Sequence, residues 1–183
     1  MKKLIIGVAA LAALCLPLTV AAAPSPSDYK NAAKFCKALR ADPEFGGETF
    51  KLTYGTHKKK NAYGKCVSKQ ARAENGRHDD AVAECKTEQQ AGEAAFQNTY
   101  GTGKGKNAFG KCVSQKRKTE ADDDHDSIVN AAKICKKLRK TDRAAFDEQY
   151  GTRRNAFGKC VSRTAKVLEA EKEKTETPPA GTS

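Results

Sequence analysis

Three copies of one motif constrain this chain more than any other feature. Tyr54-Gly55-Thr56 leads through a short basic loop to Asn61-Ala62-Tyr63-Gly64-Lys65-Cys66-Val67-Ser68. Tyr100-Gly101-Thr102 leads in the same way to Asn107-Ala108-Phe109-Gly110-Lys111-Cys112-Val113-Ser114. Tyr150-Gly151-Thr152 leads to Asn155-Ala156-Phe157-Gly158-Lys159-Cys160-Val161-Ser162. Outside the loop the last two copies agree at all 11 positions, and the first differs only by Tyr63. A Phe precedes each Tyr by four residues, at Phe50, Phe96 and Phe146. An earlier Cys-Lys opens each copy, at Cys36, Cys85 and Cys135.

Each copy reads as about three short helices, so the expected fold is all-α: three tandem small helical units. Ile128, Ala131, Ala132, Cys135 and Leu138 form a stripe of helical spacing around the leading cysteine. Ala32, Cys36 and Leu39 repeat it in the first copy. The Phe-x-x-x-Tyr pair puts both rings on one face of the second helix. The Gly after each Tyr suits a left-handed helix stop. Asn61, Asn107 and Asn155 suit N-caps of the third helix. The Gly within each third helix weakens it, and its recurrence points to close approach of another backbone. Ser27-Asp28 and the acidic run before Ile128 suit helix starts.

A unit of about 40 residues is too small to rest on its core alone. The repeat suggests the staple: one disulfide within each copy, Cys36–Cys66, Cys85–Cys112 and Cys135–Cys160. A set shifted by half a repeat, with Cys66–Cys85 and Cys112–Cys135, is the rival; it leaves Cys36 and Cys160 at opposite ends of the array. Zinc needs closely spaced ligand pairs, and a thioredoxin-like site needs Cys-x-x-Cys. The sequence has neither, and His57, His78 and His125 occupy unequal positions, so no metal or cofactor is expected.

Lys2 and Lys3, an apolar run and Ala21-Ala22-Ala23 read as an export signal, residues 1–22, cleaved after Ala22. Cleavage leaves six cysteines, an even number that suits an oxidising compartment. Helical units are expected over 28–75, 79–120 and 126–174, the last with a C-terminal helix extension. Residues 175–183 read as a disordered tail. No membrane-spanning segment remains after cleavage.

The Tyr-Gly-Thr…Asn-Ala-[Phe/Tyr]-Gly-Lys-Cys-Val-Ser unit, over residues 28 to about 163, resembles one in predicted secreted bacterial proteins of unassigned function. That resemblance implies an exported, disulfide-stapled repeat protein and implies no activity.

The chain has 34 Lys and Arg against 22 Asp and Glu, a net charge of +12. The surplus sits in the copies, which carry +4, +2 and +5 from first cysteine to final serine. It gathers in the loops His57-Lys58-Lys59-Lys60, Gly103-Lys104-Gly105-Lys106 and Arg153-Arg154, followed by Lys65, Lys111 and Lys159 on the next helix. These ten cations are the candidate polyanion contacts: Lys58, Lys59, Lys60, Lys65, Lys104, Lys106, Lys111, Arg153, Arg154 and Lys159. Three basic loops at regular spacing suit an extended anionic polymer or an anionic surface. The polymers in view are cell-wall polymer, acidic polysaccharide and nucleic acid. The aromatics sit at packing positions, which argues against base stacking. Asp122, Asp124 and Asp126 imitate the start of a calcium loop, but Ser127 and Lys133 stand where Gly and Glu are needed. The motif offers no nucleophile beside a base, so no catalytic residue and no small-molecule substrate are indicated. The leading expectation is a secreted or periplasmic, envelope-associated, non-enzymatic binding protein. A structural spacer of the envelope is the alternative, and a secreted inhibitor or toxin a more distant one.

Overall fold

The computed structural model describes residues 23–56, 59–103, 105–153 and 155–176. The expected export signal and most of the expected tail lie outside these residues, as do His57, Lys58, Lys104 and Arg154. The described residues form seven helices and no strand: α1 (Pro26–Ala41), α2 (Glu48–Tyr54), α3 (Ala62–Ala91), α4 (Glu93–Tyr100), α5 (Ala108–Thr141), α6 (Arg143–Tyr150) and α7 (Ala156–Glu176).

Local chemistry sets the starts and stops. Ser25 caps α1 with a capping box, its side chain receiving the Asp28 N–H while Asp28 receives the Ser25 N–H. That reciprocal pair satisfies two otherwise orphaned donors. Asn61 and Asn107 do precede α3 and α5, but through left-handed backbone at φ 59° and 60°, without a side-chain cap bond. Gly55 and Gly101 depart from the expected left-handed stop, with φ −69° at both, and only Gly151 has a positive φ, 86°. Glycine is needed at the first two for space instead: a Cβ would stand 2.3 Å from the carbonyl oxygen of Lys51 or Gln97. The rings of Phe50–Tyr54, Phe96–Tyr100 and Phe146–Tyr150 lie 5.2, 5.0 and 5.2 Å apart.

The helices are fewer and longer than the expected short triplets. The third helix of the first copy runs straight into the first helix of the second, making the 30-residue α3. The same merger makes the 34-residue α5. No proline interrupts either segment, and most residues there favour helix. The acidic run Asp122-Asp123-Asp124 is therefore the middle of a helix and caps nothing.

Three disulfides close Cys36–Cys66, Cys85–Cys112 and Cys135–Cys160, each with Cα atoms 6.0 Å apart. Together with the ion pairs they set the register. Between α3 and α5, Cys85 meets Cys112 while Arg77 meets Asp124. Between α5 and α7, Cys135 meets Cys160 while Asp123 meets Lys172. In each pair one number rises as the other falls, so the neighbours are antiparallel. The long helices run up-down-up-down, α1 on α3, α3 on α5 and α5 on α7.

This topology folds the third copy back onto the first. Helix α2 packs on α7 as well as on α3. Lys133 pairs with Glu44, and the Lys136 ammonium donates to the Glu44 carbonyl at 2.7 Å. One core results, holding Phe45, Phe50 and the Cys36–Cys66 bridge together with Ile128, Phe146, Phe157 and the Cys135–Cys160 bridge. Cys36 and Cys160, placed at opposite ends by the linear reading, belong to this same core. A second, smaller core holds Ala81, Cys85, Phe96, Ala108, Cys112 and Val113 at the other end of α3 and α5. At ~1.5 Å per residue α3 is about 45 Å long, which separates the two ends.

The fold-back gives the motif glycines different surroundings. A Cβ on Gly158 would stand 2.5 Å from the Thr53 carbonyl oxygen of α2. A Cβ on Gly110 would meet nothing within 4 Å, in an open groove between α1 and α5. The backbone approach expected at all three glycines occurs at Gly158, where α2 lies on α7; Gly64 would meet only its neighbour Asn61. One substitution therefore has opposite signs in equivalent places. Gly110→Ala should stabilise by about 0.5–1 kcal/mol through helix propensity. Gly158→Ala should destabilise by about 1–3 kcal/mol through overpacking. Urea unfolding of both variants checks this, and equal effects would count against the α2–α7 contact.

Candidate basic site at the four-helix end

The antiparallel arrangement sorts the basic residues by place. The loop before α3 and the loop before α7 lie at the same end, and the loop before α5 lies at the other. Lys59 of the first copy and Arg153 of the third line one cleft of about 380 Å³. Lys51 of α2, Arg139 of α5 and Arg143 of α6 join them, with Leu52, Phe146 and Phe157 on its apolar side. Beyond the α2–α7 contact, Lys65 and Lys159 line a shallower groove of about 500 Å³ with Lys69 and Arg163. The Lys69 ammonium reaches the Ser162 hydroxyl at 2.9 Å, linking α3 to α7.

Of the ten cations expected from the sequence, Lys59, Lys65, Arg153 and Lys159 are thus brought together. Lys60 is exposed beside them, its carbonyl accepting from the Thr56 N–H at 3.0 Å. Lys106 and Lys111 are exposed at the opposite end. Lys58, Lys104 and Arg154 lie outside the described residues. Lys51, Arg139, Arg143, Lys69 and Arg163 were not among the expected residues. No motif marks them; they join only because α2, α5, α6 and α7 converge.

Not every cation at this end is equally available. Lys59 pairs with Glu48, and the Arg143 Nε donates to Asp147 at 2.8 Å. Arg139 and Arg153 have no ion-pair partner among the described residues.

Between the two ends is an acidic waist, also absent from the sequence reading. Asp28 of α1 and Glu74 of α3 are both 4% exposed. The Arg117 guanidinium of α5 donates to them at 3.1 and 3.0 Å. Arg77 donates to Glu74 at 2.8 Å and pairs with Asp124, its guanidinium 5.9 Å from the centre of the Phe35 ring. On the other side of α3 and α5 a cavity of about 800 Å³ is lined by Asp80, Glu84, Glu120, Asp123, Asp124 and Glu169. Of the calcium-like aspartates, all on α5, only Asp124 lines this cavity, and Asp122 lines the groove on the α1 side; among the described residues no group of three or more His, Cys, Asp or Glu is placed to hold a metal ion.

Burial first, then the charges of Glu84 and Asp80, push the Glu120 carboxyl up to about 7. Burial likewise raises Asp124 and Glu169. For an acid whose folded value is raised, the unfolded chain loses its proton first, so folding weakens as pH rises between the two values. The melting temperature should therefore fall from pH 4.5 to about 7, with part of that slope due to Glu120. Thermal unfolding across this window checks it: Glu120→Gln should flatten the curve, and an unchanged slope would refute the assignment.

No helix among the described residues is long and apolar enough to cross a membrane. The fold and its surface define an all-helical, disulfide-linked protein with a basic end. Compared with protein-family models, curated proteins and solved structures, the chain matches none of them.

Proposed function

We propose that the protein is an exported, non-enzymatic binding protein that holds anionic polymers at its basic four-helix end. The observation carrying this reading is the convergence of cations from the first and third copies, Lys59 and Lys65 with Arg153 and Lys159, on two adjoining concavities. Cations gathered at one end of a molecule attract a polyanion by releasing its counterions. The three disulfides and the sequence resemblance support a secreted or periplasmic place. The chain is read as three tandem units of one design, of which the outer two have combined into one binding end. The ligands in view stay cell-wall polymer, acidic polysaccharide and nucleic acid.

Retention of the mature protein on immobilised anionic cell-wall polymer, heparin and DNA across a salt series tests this. Retention should fall steeply with salt, as phosphate or sulfate contacts require. Replacing Lys59, Lys65, Arg153 and Lys159 with Gln should abolish it. Replacing Lys106 and Lys111 with Gln should leave most of it. No retention at low salt on any of the three would refute the reading. A spacer role is then the remaining alternative, favoured by the disulfide-linked pair α3 and α5, which reaches from one core to the other.

A further inference from the structure

Deepening that reading, on which it rests, we propose that the cleft beside α2, α6 and α7 holds one oxyanion, a phosphate or carboxylate on a single sugar- or glycerol-sized unit, gripped by Arg139 and Arg153.

The size of the cleft sets the first limit. About 380 Å³ falls at the small end of the range for small-molecule sites, roughly 300–1,000 Å³. It accommodates one unit of a polymer and not a run of them. The shallower groove with Lys65 and Lys159 is left for the adjoining chain.

The type of cation sets the second. Arginine carries a planar fork that meets two oxygens of one phosphate or carboxylate, whereas lysine is a point charge. Three arginines line this cleft, Arg139, Arg143 and Arg153. Arg143 is engaged by Asp147. Arg139 is half-buried and Arg153 exposed, and neither has an ion-pair partner among the described residues. Two such cations lining one concavity leave it with positive charge that an anion would offset. The second copy presents only lysines, Lys106 and Lys111, among its described candidates.

The third limit is the wall. Leu52, Phe146, Ala156 and Phe157 form an apolar side next to the cations. A ligand with a charged head and a compact carbon body fits that division. A bare inorganic ion uses only half of it. The first copy contributes Lys51, Leu52 and Lys59, the third Arg139, Phe146 and Arg153, so neither copy alone has the cleft.

Titration of the mature protein with glycerol 3-phosphate, inorganic phosphate and galacturonate, followed by NMR of the arginine Nε–Hε groups, tests the proposal. Saturable, one-site shifts at Arg139 and Arg153 are expected. Glycerol 3-phosphate should bind more tightly than inorganic phosphate. Tighter binding of the phosphate ester than of galacturonate assigns a phosphate source, and the reverse order a carboxylate source. Arg139→Gln and Arg153→Gln should each weaken small-ligand binding about tenfold or more. Arg139→Lys keeps the charge and should lose most of the small-ligand affinity while polymer retention persists. If the polymer is retained but no small anion moves the arginine signals, this proposal falls and the polymer reading stands. If neither polymer nor small anion binds, both fall.

Discussion

Replacing Cys85 and Cys112 with Ala opens the far end of α3 and α5 while the four-helix end stays folded. The disulfide there closes a loop of sequence separation 27, which the chain-entropy model values at about 3–4 kcal/mol. The apolar support around it is slight. The second core has 6 buried residues, against 19 in the shared core. Among the described residues, none from the first or third copy belongs to it. The Cys135–Cys160 bridge, by contrast, lies inside the shared core, so its removal should lower stability over the whole four-helix end. Hydrogen exchange distinguishes the two. In the Cys85→Ala/Cys112→Ala variant, amides of residues 81–91 and 108–116 should lose protection by about 2–5 kcal/mol, the usual cost of removing a native disulfide. Those around Cys36 and Cys160 should keep theirs. Uniform loss in both variants would contradict the two-core description.

Arg117→Met should be strongly destabilising, costing about 3–5 kcal/mol. The guanidinium is the common partner of Asp28 and Glu74, two carboxylates almost wholly removed from water. Methionine fills similar space and leaves Asp28 with only its Ser25 hydrogen bonds and Glu74 with only Arg77. The cost comes from leaving these buried charges under-compensated and not from the pair's own attraction, because a buried ion pair is roughly offset by the desolvation of its members. The combination Arg117→Met, Asp28→Asn and Glu74→Gln should therefore recover much of the loss. Chemical denaturation of the single and combined variants measures this; strictly additive losses would show that the network is not a unit.

The acid side of the stability curve gives a further reading of the same contacts. Burial works against an ionised Asp28, but the Ser25 hydrogen bonds and Arg117 outweigh it and hold the carboxyl below its usual range. A depressed carboxyl stabilises the fold above its unfolded value and loses that contribution as pH falls through the folded one. The Arg117→Met variant should lose stability less steeply below about pH 4 than the parent chain.

Much of this architecture is legible in the one-dimensional pattern. The helical spacing around Cys36 and Cys135, the Phe-x-x-x-Tyr pairs and the position of Asn61 and Asn107 before their helices all follow from local chemistry. The pairing of cysteines follows from the repetition itself. What the pattern hides is inequality. Three copies of one motif look interchangeable, yet their second helices differ between the shared Phe and Tyr. Two residues after the Phe stands Leu52 in α2, Asn98 in α4 and Glu148 in α6. Only the leucine can be buried, and only α2 packs across onto the helix of a distant copy. The basic cleft inherits that accident of composition, since Lys51 and Lys59 meet Arg139, Arg143 and Arg153 only after α2 has found α7. The waist was hidden for another reason. Asp28, Glu74 and Arg117 are ordinary surface residue types, and burial came to them from the crossing of three helices.

The shared core also orders events in time. A chain delivered from its N-terminus presents the first copy early, with Phe45, Phe50 and Leu52 ready and most of their packing partners still to come. The middle copy can finish first, because both halves of its core are neighbours in sequence. The apolar face of the first copy waits in water until α7 arrives, and the last long helix then acts as the latch. Long-range closure of this kind is slow compared with local helix formation. A chain cut short before α7 would keep the cysteines of two disulfides and still lack the basic cleft of the complete molecule.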